Sequence, residues 1–270
     1  MHGPSPSPLR HLAEPTLAAG FVLLCLLALF LPPLAQPAAQ HHFADQRAWA
    51  GLPHALDVLS NLGFAVAAAF GSWLLMGRRG DAQPVTVRAL AALFFSGLAC
   101  SAIGSAIYHW APDDIGLAGD RLAMSMAFAG MLGLAAQSRI SDGAGRWAAL
   151  AMLLASVSAV LAWLWTGNVL PWALAQGSGM LAVLGLSLLA PRRGGLALRL
   201  GVVMAWYGAA KLLEWGDAAV FDATAGWVSG HSLKHVLAAG AAWPVLHALR
   251  ARAAGTMATD AGARRDACQL

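Results

Sequence analysis

The chain has 270 residues, of which 59% are hydrophobic and only 11% charged, with a mean hydropathy of +0.62. A soluble domain carries about 25% charged residues, so this composition excludes an ordinary soluble protein and indicates an integral membrane protein. The formal charge of +4 does not point to nucleic acid, because the arginines fall in short loops between apolar runs, where they report topology.

A bilayer core takes about 20 predominantly apolar residues per helix. Eight spans are predicted, near residues 17–34, 53–76, 88–110, 118–138, 147–165, 171–190, 196–217 and 230–250. The first is read as a retained helix, with a cleaved signal peptide as the alternative; Glu14 in its basic region and the lack of a small-x-small site argue against cleavage. Turn-like separators divide the rest: GRRGDAQP, APDDIG, SDGAGR, TGNVLP and PRRGG. The 29 glycines suit close helix packing in lipid. No repeat is evident, and the only biased tract is the Pro/Ser-rich start GPSPSP. Cys25, Cys100 and Cys268 lack metal-type spacing, and the two within apolar runs read as small buried hydrophobes.

With eight spans, thirteen of the 17 Lys and Arg fall on one side: Arg10, Arg78, Arg79, Arg88, Arg139, Arg146, Arg192, Arg193, Arg199, Arg250, Arg252, Arg264 and Arg265. The opposite side keeps Arg47 and Arg121, while Lys211 and Lys234 sit in helix ends. The positive-inside rule then makes both termini cytoplasmic. Trp49, Trp110, Trp165, Trp172, Trp215 and Trp227 form the expected aromatic belt at the outer interface. The expected location is a bacterial inner (cell) membrane.

Intramembrane ionisable residues are costly and point to function when a partner can be named. In this topology Asp57, Asn61, Ser105, His109, Asp120, Lys211, Glu214, Asp217, His231, Lys234 and His235 come from five helices to one leaflet, while the inner halves stay almost wholly apolar. His231 and His235 share a helix face one turn apart. With His109 they make three imidazoles, the donor set of a catalytic zinc with an open fourth position. Asp120, at the head of its helix, is placed to orient water or shuttle protons. Ser105, one turn from His109 on the same face, is placed to bond the metal water or a polarised carbonyl. Nothing soft or redox-specific is present, which favours zinc over copper or iron.

Taken singly these signals are weak. HxxxH alone is common, His109 alone suits a headgroup interface, and the carboxylates suit structural pairing with Lys211 and Lys234, with Lys211–Glu214 expected as a pair. His41, His42 and His54 read as solvated loop residues, and His247 lies away from the cluster. Lys234 has no evident role. HExxH is absent, which argues against zincin-type and site-2-type proteases. QGSGM at 176–180 reads as a small-residue packing face rather than a rhomboid-type serine motif.

The segments GSAIYHWAPDD, GDRLAMSMAF and VSGHSLKHVLAA resemble the three motif regions of the alkaline ceramidase family, within a superfamily that also includes adiponectin-receptor-like proteins and lipid-remodelling enzymes. DVLSNLGF resembles the first core helix and AKLLEWGD the penultimate one, so the likeness runs over about residues 43–245. It implies a seven-helix zinc hydrolase cleaving ceramide-like amides to a fatty acid and a long-chain base. His109, His231 and His235 would be ligands, Asp120 the proton shuttle and Ser105 a support for the tetrahedral intermediate. The chain differs from the family by an extra N-terminal span. It also lacks the acidic cluster of the animal calcium site, keeping only Asp45 and Asp57 there, which leaves calcium dependence without support.

The expected fold is thus all-α and polytopic: residues 1–40 hold a cytoplasmic segment and the extra helix, 41–250 a seven-helix hydrolase domain, and 251–270 a loose cytoplasmic tail. The expected partner is a membrane lipid substrate, with no nucleic acid; acyl length, natural headgroup and oligomeric state are not legible. The alternatives are a non-catalytic receptor or sensor with a structural zinc, or a lipid ester hydrolase of the same superfamily.

Overall fold

A computed structural model describes residues 8–267; the tract preceding Pro8 and Cys268 lie outside the described residues. The chain is an all-α, polytopic membrane protein, with no strand among the described residues. In chain order, α1 (Pro8–Phe30) is followed by a single 3-10 turn (Ala38–His41), α2 (Ala55–Ser60), α3 (Leu62–Leu74), α4 (Gly77–Asp81), α5 (Val85–Trp110) and α6 (Asp114–Arg139). Then come α7 (Asp142–Thr166), α8 (Leu170–Ser187), α9 (Leu200–Trp215), α10 (Asp217–Ala223), α11 (Gly230–Gly240) and α12 (Trp243–Ala267).

Among the described residues, six stretches are long and apolar enough to cross a bilayer: α1 from Leu12, the α2–α3 rod, α5, α6, α7 and α8. Their boundaries follow local chemistry. Asp113 caps α6 by accepting a bond from Gly116 N at 2.6 Å, and Ser141 caps α7 by accepting one from Ala144 N at 2.9 Å. Gly167 ends α7 in the left-handed region at φ +71°. The α2–α3 rod is interrupted at Asn61, whose side-chain amide donates to the Asp57 carbonyl at 2.8 Å. That carbonyl would otherwise accept the Asn61 main-chain N–H, which bonds Val58 O instead.

Two expected spans take a different form. The seventh is α9, with 16 residues and a length of about 24 Å, and it hands over to the short α10. The eighth is broken between α11 and α12. Pro244 has no N–H to return to the Gly240 carbonyl, and a Cβ at Gly240 would stand 2.8 Å from the Trp206 ring. The tail expected to be loose is helical through Ala267. Cys25 and Cys100 lie on helices as expected but are exposed, facing outward instead of being buried. Trp172 is buried rather than part of a belt, while Trp49, Trp110, Trp165, Trp215 and Trp227 are exposed.

Backbone contact through glycine fixes the centre of the bundle. A Cβ at Gly97 would lie 2.2 Å from Ala127 N, and one at Gly130 would lie 2.4 Å from Phe94 N, so α5 and α6 cross where no side chain fits between them. Gly133 and Gly145 do the same between α6 and α7. Leucines and isoleucines such as Leu29, Ile103, Leu150 and Leu181 face outward, the surface a lipid-embedded bundle presents. The far halves of the helices are not as bare as expected: the last turn of α6 buries Gln137, Ser138 and Arg139. Gln137 Nε2 donates to Asp142, and Arg139 Nη2 donates to the Leu198 carbonyl at 2.8 Å.

Candidate metal centre

His109 sits in the last turn of α5, and His231 and His235 lie one turn apart on α11; all three are buried. Ser229 starts α11 where it does by accepting a bond from Ser232 N at 2.9 Å, which sets the helix phase that aims both histidines inward. The three ring centroids form a nearly equilateral triangle with sides of 4.7, 5.0 and 5.0 Å. One ligand atom from each ring lies within 4.8 Å of the others, a group that could hold a metal ion. His109 Nε2 and His231 Nε2 are 3.2 Å apart. Two nitrogens bound to one tetrahedral zinc, each at about 2.0–2.1 Å, stand about 3.3 Å apart. The buried donor set therefore fits a small divalent cation.

The surrounding side chains orient these rings. Ser60 Oγ donates its only proton to the Asp57 carbonyl at 2.9 Å and lies 2.8 Å from His235 Nδ1. With that proton on the Asp57 carbonyl, the hydroxyl is placed to accept from Nδ1–H, the tautomer that leaves the Nε2 lone pair of His235 for a metal. Asp217 ties the His231 main-chain N–H at 2.7 Å to the Ala44 N–H at 3.0 Å. Asp57 accepts from Ser232 Oγ at 2.6 Å and Ser229 Oγ at 3.2 Å, anchoring α2 to α11. His109 Nδ1 is buried with no hydrogen-bond partner.

A cap lies over the cluster. Phe43, in the segment between α1 and α2, packs edge-on against His109 and His231 at 4.6 and 4.7 Å. Asp45, two residues on, is held by Arg47 through bonds of 2.8 and 2.6 Å, and Arg47 also reaches the Trp227 carbonyl. The Arg47 hydrogen bonds hold the Asp45 carboxyl below the ordinary carboxylate value of 3.8, against the opposing effect of burial.

Beside His235 a cavity opens into the bundle. Its polar wall carries His235, Ser105, Asp120, Lys211, Glu214 and Lys234. Ser105 is buried one turn from His109, and it shares the cavity wall with Asp120. The rest of the wall is apolar, with Phe94, Leu98, Met131, Met152, Val183 and Met204 among its residues. Phe94 lies fifteen residues before His109 on α5, about 22 Å along the axis, so the cavity runs from the histidines deep into the bundle.

All five site residues expected from the sequence gather at one end of the molecule: the three histidines as a cluster, and Ser105 and Asp120 on the adjoining cavity wall. Lys234, without a role in the sequence, bonds Glu214 at 2.7 Å, and the expected Lys211–Glu214 pair is present at 2.5 Å. Two histidines expected to be merely solvated are not. His54 Nδ1 bonds the His109 carbonyl at 2.9 Å, and His41 bridges the Tyr108 hydroxyl and Asp114. His42 is exposed as expected. Ser60, inside DVLSNLGF, and Phe43 were not among the expected site residues, since a serine in a helix and a phenylalanine in a loop are ordinary until the fold sets them against a histidine. Comparison with known protein families finds no match to the chain, and no curated protein matches it.

Proposed function

We propose that the chain is an intramembrane zinc-dependent hydrolase that cleaves the amide bond of ceramide-like N-acyl lipids to a free fatty acid and an amine, as its resemblance to the alkaline ceramidases implies. One observation carries this reading: three buried imidazoles cluster together, and one of them, His235, lines the polar end of a long apolar cavity whose wall also holds Ser105 and Asp120. An all-nitrogen donor set without thiolate suits zinc. His109, His231 and His235 would hold it. When bound, zinc lowers the pKa of a coordinated water to about 7 and polarises a carbonyl.

In this reading Asp120 takes a proton from the attacking water as the new C–O bond forms and delivers it to the nitrogen as the C–N bond breaks. Ser105, on the same wall, donates its hydroxyl proton to the developing oxyanion. Phe43 and the 43–47 cap exclude bulk water from the histidines. The apolar arm of the cavity takes the acyl chain, and its methionines adapt to chain shape. The hydrolase core occupies residues 41–250. The arginine distribution supports cytoplasmic termini and a site toward the outer leaflet of a bacterial inner membrane. Arg47 already pairs with Asp45, one of the two carboxylates in the region of the animal calcium site, so no calcium site is proposed there.

The test combines metal analysis of the purified protein with a lipid panel of ceramides, phytoceramides, N-acyl amino acids and phospholipids scored for fatty acid release. About one zinc per chain and release from an amide lipid are expected. Absence of metal sinks the mechanism. Metal without release from any amide lipid favours the receptor reading, and release from esters alone favours the ester hydrolase.

A further inference from the structure

Lys211 and Glu214 stand three apart on α9, and Lys234 stands on α11 beside His235. Glu214 bridges the two ammonium groups, with Oε2 at 2.5 Å from Lys211 Nζ and Oε1 at 2.7 Å from Lys234 Nζ. All three side chains line the cavity. Each ammonium has three N–H donors, and among the described residues Glu214 is the one hydrogen-bond acceptor that either meets. Both Glu214 oxygens are thereby used, and two donors remain on each lysine. The lysine side chains keep 35% and 18% of their surface exposed.

An ion pair in an apolar wall stabilises a fold no better than well-packed hydrophobic residues would, and spare ammonium donors there are costly until an acceptor arrives. Helix packing alone gives no reason for a second lysine. Glu214 itself shows what the pair is spaced to receive, a carboxylate that gives one oxygen to each ammonium. The remaining cavity is long and apolar, so the matching ligand has an apolar chain behind its charged head.

We propose that Lys211 and Lys234, bridged by Glu214, form a carboxylate-binding subsite at the polar end of the cavity, selecting long-chain amphiphiles with an anionic head. This rests on the reading of the cavity as a lipid site. The carboxylate has two sources: the head of an N-acyl amino acid substrate, or the fatty acid released by hydrolysis. Glu214 competes with the ligand for the same donors and is a positioning residue.

Full-length protein in detergent is tested by displacement of a fluorescent polyene fatty acid, read within seconds of mixing. The competitors are palmitate, N-palmitoylglycine and the methyl ester of each. At least one carboxylate should bind about tenfold or more tighter than its ester, as expected for charge-assisted bonds to two ammonium groups. Tight binding of N-palmitoylglycine alone assigns the subsite to the substrate head, and of palmitate alone to the product. Glu214→Gln should tighten carboxylate binding and leave the esters unchanged. Lys211→Met with Glu214→Gln and Lys234→Met should abolish the carboxylate preference while ester affinity, the check on folding, persists. A preference that survives the triple variant, or carboxylate binding that weakens in Glu214→Gln, overturns the subsite and makes the triad structural. Ester binding with no carboxylate preference in the wild type overturns the subsite but leaves the lipid cavity standing. Failure of every amphiphile to bind overturns both.

Discussion

Helix α6 buries polar side chains at both ends, and the two ends use them differently. At the Arg139 end, nearly every polar atom is consumed by the turns it holds. Gln137 donates to Asp142 and accepts from Leu196 N, Arg192 bonds the Gln137 carbonyl and pairs with Asp142, and Arg139 bonds Ser138 and Leu198 O. Among the buried side-chain atoms of the described residues, only Arg139 Nε is left without a partner there. At the Asp120 end, the acid lines a cavity shared with His235, and the three imidazoles bring one ring nitrogen each within 4.8 Å of the others. Buried polarity alone therefore does not mark a site. Polar groups mark one when they converge on space and leave their bonding capacity open.

The sharpest break between the two ends is metal. His235→Ala removes one of three ligands and is expected to reduce zinc from about one per chain to near none, with turnover lost. Metal analysis after gel filtration measures this, and full retention of zinc in the folded variant would show that the cluster is not the metal site. Asp120→Asn comes next. It keeps the ligand set, so zinc should stay while turnover falls about 10²–10⁴-fold, the usual worth of a positioned acid–base group. Unchanged turnover would remove Asp120 from the mechanism.

Ser60→Ala tests the shell behind the ligands. Losing the hydroxyl that fixes the His235 tautomer should weaken zinc binding about 10–100-fold, read as the chelator concentration that strips half the metal. Gln137→Ala is the counterpart at the other end. It leaves the Leu196 N–H and the Asp142 carboxylate short of a partner, and is expected to cost about 1–3 kcal/mol of stability while metal content and KM stay at wild type. A KM change in Gln137→Ala would mean that the two ends are coupled.

Much of this difference was legible in the sequence because membrane burial makes polar residues conspicuous. His109, His231, His235, Asp120 and Ser105 stand out against apolar runs, and the arginine loops fix which of them share a depth. Depth is one-dimensional, however, and the shell around the cluster depends on azimuth. Ser60 meets His235 only because the fold sets α2 beside α11, a contact across 175 residues. Phe43 arrives on a loop with no periodicity to reveal its direction. Lys234 looked unassignable because its partner, Glu214, is twenty residues away on another helix. Arg139 reads in the sequence as a topology signal, since helix ends that grip loops and helix ends that face lipid headgroups have the same composition, and Gln137 beside it gives no signal at all. The break in the last span was readable in principle from Pro244, which lies too far inside the apolar run to act as an end signal by itself.

The smallest expected effect concerns the cap, where no metal or substrate is involved. Asp45 is almost fully buried, and both of its oxygens are held by Arg47. These bonds lower its carboxyl in the folded chain, so folding is favoured by the ionised form. That contribution is fully present above the unfolded value of about 3.9 and fades as pH falls below it, through the lower folded value. In Arg47→Ala the guanidinium bonds are gone and only the main-chain N–H of residue 47 still donates to Asp45, so burial meets a weaker opposition, which raises the carboxyl relative to the wild type and moves the loss to higher pH. Amide exchange across Phe43–Arg47, followed from pH 6 downward, should therefore stay slow to below about pH 4 in the wild type and accelerate earlier in the variant. Equal onset in both would show that the cap is held by Phe43 packing and the Ala44–Asp217 bond. The aromatic contact with His109 and His231, and not the ion pair, would then be what seals the histidines from water.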